Sequence, residues 1–145
     1  VKLHEKTFLD LAIQHIPLDT VSTTTEPSHR LHIIQAEVLL SNYFFANQRT
    51  LEGGYHANSA YSLAVASGIH NMQTRNPPES KLPPVLDDIE EGERVNACWA
   101  IFTLDRGWAG ALGFNSNITC TVGGNVVLTT PMPREIDEYG TVRRS

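Results

Sequence analysis

Cysteine is scarce. Cys98 and Cys120 are the only two in 145 residues, and neither has a neighbour at metal-ligand spacing, so the chain carries no zinc-finger or zinc-ribbon pattern. A single disulfide is permitted but not required, the alternative being two reduced thiols. Long apolar runs are missing too. No stretch of about 18 apolar residues reads as a membrane span, and the first residues lack the apolar core of a signal peptide. Basic residues are outnumbered, 11 Lys and Arg against 16 Asp and Glu, for a net charge of -5. Phosphate contacts need a basic surface, so the composition argues against a free-standing nucleic-acid binder. There is no Gly-rich phosphate loop, no His-Glu-x-x-His, no nucleophile elbow and no internal repeat.

What remains is a globular composition, with 41% apolar and 19% charged residues. The length suits one domain with a real core. The chain opens on Val1 and stops after Arg143-Arg144-Ser145 with no closing periodic segment, and is read as a partial domain over residues 1–145.

Periodicity and stop signals predict an all-α fold with about four main helices. The first runs from Lys2 to about Ile16, with Leu3, Phe8, Leu11, Ala12 and His15 on one face and Pro17 as its stop. Residues 17–28, rich in Thr, Ser and Pro, read as a linker. Ser28 is the expected N-cap of a second helix reaching about Asn47. Its apolar positions (Leu31, Ile33, Ile34, Val38, Leu39, Leu40, Phe44 and Phe45) cover most of the circumference, which marks a central core helix. Glu37 and Ser41 fall inside that apolar arc, where a carboxylate must find a partner. Gly53-Gly54 breaks the pattern, and a third helix is expected over 55–67, with Ala57, Ala60, Tyr61 and Ala64 on one face. Gly68 followed by Ile69 matches a left-handed helix end.

Residues 71–86, with Pro77, Pro78, Pro83 and Pro84, read as a long loop. Asp87 with Glu90 forms a capping box for the fourth helix, Asp88 with Glu91 being the competing register. The acidic cluster from Asp87 to Glu93 suits the positive end of a helix; a docking surface for a basic partner is the functional alternative. Val95, Cys98, Trp99 and Phe102 form the expected buried stripe, broadened by Ile101 and Leu104, as far as about Arg106. Residues 108–112 either extend that helix or make a new turn. Thr119–Thr130, rich in Val and Thr around Gly123-Gly124, reads as a small hairpin or an extended loop.

Candidate chemistry is thin. His29 and His32 lie three apart on a first helical turn and are read as solvent-facing or capping groups rather than a metal pair. His56 and His70 bracket the third helix. Asp105, partly buried by its place on the stripe, needs a donor that Arg94 is too far away to supply; another helix or the backbone amides that follow are the expected sources. Arg106 suits the negative end of the helix. The aromatic residues read as core, or as the lining of an apolar cavity.

The segments Ile34 to Tyr43, Ala57 to His70 and above all Glu93 to Arg106 followed by Leu112-Gly113 resemble, in order and spacing, the fungal-specific transcription factor domain, the middle homology region of zinc binuclear-cluster regulators. The resemblance covers about residues 30–135. Its motif positions here are Gly68, His70, Glu93, Arg94, Trp99, Asp105, Arg106 and Gly113. It implies a multi-helical regulatory domain of a nuclear protein that regulates RNA polymerase II transcription. It also implies that zinc and DNA contact belong to a six-cysteine region of the parent that this chain does not contain. No cofactor or catalytic residue is expected in the chain itself. The expected partners are the rest of the parent protein, with homodimerisation through other regions and an unidentified effector. Asn115 stands where the family usually has proline, two residues after the Leu-Gly glycine. Two other readings stay open: a small-molecule-binding or enzymatic helical protein using the aromatic core and Asp105, and an inert degenerate fragment.

Overall fold

The computed structural model describes residues 2–21, 27–72, 84–113, 115, 116, 118 and 128–135. Its helices are α1 (Lys2–Val21), α2 (Pro27–Ala46), α3 (Thr50–Ser67) and α4 (Asp88–Leu112). Among the described residues there is no strand, and the all-α expectation holds. The hairpin alternative falls on residues 119–127, outside the described residues; residues 128–135 that follow belong to no helix or strand.

α2 is the hub and packs against each of the other three helices. Its buried residues Leu31, Ile34, Val38, Ser41 and Phe45 alternate in steps of three and four. On α3 the buried positions Gly53, His56, Ala60, Ala64 and Ser67 repeat the same rhythm. The two seams pack against each other, and the small residues of α3 let the backbones come close. A short turn over Asn47, Gln48 and Arg49 joins the two helices. It is closed by the Arg49 amide donating to the Phe44 carbonyl at 2.9 Å, and Gln48 takes the left-handed conformation at φ 62. α4 completes the main core with Ala97, Cys98, Ile101 and Leu104. A smaller cluster joins α1 to α2 through Ile16, Ile33, Leu40 and Phe44.

Several boundaries differ from those the sequence suggests. α1 does not stop at Pro17 but continues to Val21. A helical proline removes one donor and crowds the carbonyl four residues back, but its fixed φ is itself helical. The 17–28 linker is accordingly shortened: 17–21 end α1 and 27–28 begin α2, while 22–26 lie outside the described residues. Pro27 occupies the first helical position, where a missing N–H costs nothing, so Ser28 lies inside α2 rather than at its cap. Gly53-Gly54 breaks nothing, since α3 begins at Thr50 and runs through both. α1 also buries a different face. Phe8, Leu11 and His15 are exposed, whereas Leu9, Ala12 and Ile16, spaced three and four apart, pack on α2.

The helix ends follow the expected chemistry closely. Gly68 stands at φ 85 and its amide is shared between the Ala64 carbonyl at 3.0 Å and the Val65 carbonyl at 3.2 Å, a left-handed termination. Ile69 behind it is buried. Asp87 caps α4 by accepting from the Glu90 amide at 2.8 Å, and Glu90 reaches back to the Leu86 amide at 2.9 Å. That selects the Asp87 register over Asp88. α4 passes straight through Gly107 and ends only at Gly113, at φ 71. Of the proline-rich loop 71–86, residues 71–72 and 84–86 are non-helical, and 73–83 lie outside the described residues.

Candidate functional site

The buried carboxylate of Glu37 finds its partners on α3. His56 Nδ1 sits 2.5 Å from Glu37 Oε2, and the Ser59 hydroxyl donates to Oε1 at 2.7 Å. The imidazole is stacked on Phe44, ring centroids 5.2 Å apart, with the Tyr55 ring edge-on to it. One helical turn further along α2, Ser41 donates to the Gly53 carbonyl at 2.7 Å. These contacts give the α2–α3 seam a polar register inside an otherwise apolar interface. Ser59 is turned to the carboxylate and not to the imidazole. His56 lies within α3, not at its start.

Asp105 meets the second expectation. Its Oδ2 accepts from the Ile118 amide at 3.1 Å and from the Ser116 hydroxyl. The donors come from the chain beyond α4, so Asp105 clamps the segment after Gly113 against the helix. The Tyr61 phenol on α3 is pushed above its ordinary value, by burial first and then by the negative charge of Asp105.

A third arrangement ties the end of α3 to α4. The Thr129 amide donates to the His70 carbonyl at 3.0 Å, and the Thr130 hydroxyl to the Ile69 carbonyl at 2.5 Å. Trp99 Nε1 donates to the Pro131 carbonyl at 2.6 Å. Residues 128–131 thus form a strap over the middle of the bundle. Beneath it the free, buried Cys98 thiol is pushed up by burial, partly offset by a hydrogen bond with Thr130. His70 Nδ1 is buried here without a hydrogen-bond partner.

The family-motif positions serve these contacts rather than one shared pocket. Gly68 and Gly113 are the left-handed glycines that end α3 and α4. Arg94 is buried and donates to Glu90 at 2.7 Å, while Glu93 is exposed. Arg106 is exposed, with its guanidinium carbon 5.5 Å from the Phe102 ring centre. Of the expected stripe, Val95 and Cys98 are buried together with Ile101 and Leu104, while Trp99 and Phe102 are half-buried at its flank. His29 is half-buried and His32 exposed, and among the described residues no group of three His, Cys, Asp or Glu stands close enough to hold a metal. Among them, too, no helix is long and apolar enough to cross a membrane.

Sequence reasoning did not anticipate Ser59, the Phe44–His56 stack or the strap. The first was findable, because His56 and Ser59 are three apart on α3 and share the face that meets Glu37. The strap had no such signal, since its bonds join residues about 30 and 60 positions apart.

The carboxylates of Glu37 and Asp105 thus hold helix register and clamp the chain after α4 in an all-helical scaffold. Over residues 3–139 the chain matches the fungal-specific transcription factor domain, and it belongs to that family. No curated protein and no solved structure matches it.

Proposed function

We propose that this chain is a non-catalytic regulatory domain of a fungal zinc-cluster transcription factor, acting in the nucleus on RNA polymerase II transcription. The observation that carries the reading is the family match over residues 3–139. The geometry supports it: Glu37, Asp105 and Arg94 are each engaged by neighbours that hold helices or loops in place. DNA reading and zinc belong to another region of the parent, because this chain has only two cysteines and a net charge of -5. Its partners are the rest of that parent protein. A fluorescent fusion of the full-length protein in its native cell, together with transcript profiling after gene deletion, tests the reading. Nuclear fluorescence and a defined set of altered transcripts are expected. Exclusion from the nucleus, or an unchanged transcript profile, would overturn it.

A further inference from the structure

Between α2 and α4 lies a cleft of about 680 Å³, within the size range of small-molecule sites. Its floor is the face of α4 that carries Ala100, Thr103, Gly107 and Ala111, one helical stripe of short side chains. A Cβ built on Gly107 meets no atom within 4 Å, so the glycine borders open space, not a close helix contact. The walls hold both tryptophans of the chain, Trp99 and Trp108. Each indole is fixed from outside the cleft: Trp99 by its N–H to the Pro131 carbonyl, Trp108 by stacking on Phe45 at 4.4 Å. No described lining residue carries a charge, and the polar ones are Asn42, Asn96 and Thr103 besides the two indoles. Asn42 donates to the Val38 carbonyl at 3.1 Å, and Thr103 to the Trp99 carbonyl at 2.8 Å, which leaves an oxygen of each as an acceptor.

We infer that this cleft binds an uncharged small molecule with a ring-shaped apolar body and a hydrogen-bond donor. A charged ligand would lose its hydration against neutral walls without gaining a counter-ion. The two fixed indoles provide apolar and aromatic contact at little entropic cost. The neutral acceptors of Asn42 and Thr103 set the orientation. The site joins the central helix α2 to α4, and α4 carries the Trp99 anchor of the strap. A ligand seated there therefore bears on the contact that ties α3 to α4. The inference rests on the proposed regulatory reading only for the consequence of binding, not for binding itself.

The test uses the whole 145-residue chain and the uncharged probe N-phenyl-1-naphthylamine, titrated while tryptophan emission is followed. Saturable binding at one site, with energy transfer from the indoles, is expected. Gly107→Leu fills the floor while raising helix propensity. It should weaken the probe at least about tenfold with unchanged circular dichroism and a cooperative melt. Leu39→Lys, in the separate groove between α1 and α2, should leave the affinity unchanged. Absence of saturable binding to the parent chain overturns the inference, as does binding indifferent to Gly107→Leu. So does sedimentation showing a dimer that Gly107→Leu makes monomeric, because a second copy then covers the cleft. None of these readings involves transcription, so the failure of either proposal is visible separately from the other.

Discussion

Gly53 and Gly54 are adjacent in one helix yet should respond in opposite directions to the same substitution. A Cβ added at Gly53 would lie 2.7 Å from Cγ and Cδ1 of Phe45 and 2.9 Å from Cε1, whereas one at Gly54 meets nothing within 4 Å. In a helix interior, Gly→Ala alone stabilises by about 1 kcal/mol. Gly54→Ala should show that gain. At Gly53 it is opposed by overpacking, typically about 1–3 kcal/mol. Phe45 has little room to retreat, because it is buried and its ring is stacked on Trp108. Subtracting one variant from the other cancels the propensity term and leaves the clash, about 2 kcal/mol. At this chain length that corresponds to roughly 6 °C in Tm between the two variants. Thermal and urea unfolding followed by circular dichroism read both numbers. Phe45→Leu in the Gly53→Ala background should recover part of the loss, with a coupling of about 1 kcal/mol in the double-mutant cycle. Equal stabilisation at both positions would refute the close packing of α3 on α2.

Other consequences follow from the buried polar contacts. Glu37→Ala removes the partner of both His56 and Ser59 and should cost about 3 kcal/mol in urea unfolding, well above the ~1 kcal/mol expected for Ser59→Ala. Asp105→Ala should cost about 2 kcal/mol and raise hydrogen exchange specifically at the Ile118 amide, read by NMR. Asp87→Ala should cost about 1 kcal/mol through the lost cap, with fraying confined to the start of α4. Burial holds the Cys98 thiol above its ordinary value of 9.0, so the folded state retains that proton after the unfolded chain has released it. This contribution to stability is present below pH 9 and is lost as pH rises through the folded value; melts from pH 8 to 10.5 should show the decline, and Cys98→Ala should flatten it.

Much of the scaffold is legible in the sequence because its signals are local. The all-round apolar pattern of α2 marks the hub correctly. Gly68 and Asp87 mark helix ends whose bonds span only three or four residues. Even Glu37 and Asp105 announce that they need partners, since an acidic group on an apolar face is a conflict that burial makes costly. The failures have a common cause: residues whose local preference is outweighed by tertiary contact. Gly53 reads as a breaker but is required by the Phe45 ring. Gly107 does not end α4, where Gly113, in the left-handed conformation, does. The face of α1 was misassigned because Phe8 and Leu11 are as apolar as Leu9 and Ile16, and only the position of α2 decides between them. The sequence leaves the aromatic residues open between core and cavity lining, because the shape of the cleft between α2 and α4 depends on how far apart two helices pack.

On the proposed function, this domain acts on transcription through its packing. The most direct test measures promoter occupancy and transcript level side by side for the full-length protein carrying Asp105→Ala. This substitution releases the Ile118 clamp from α4. Transcript output per molecule of protein is expected to change while promoter occupancy per molecule does not, since DNA contact is proposed for another region of the parent. Unaltered output from a protein whose clamp is demonstrably released would contradict it.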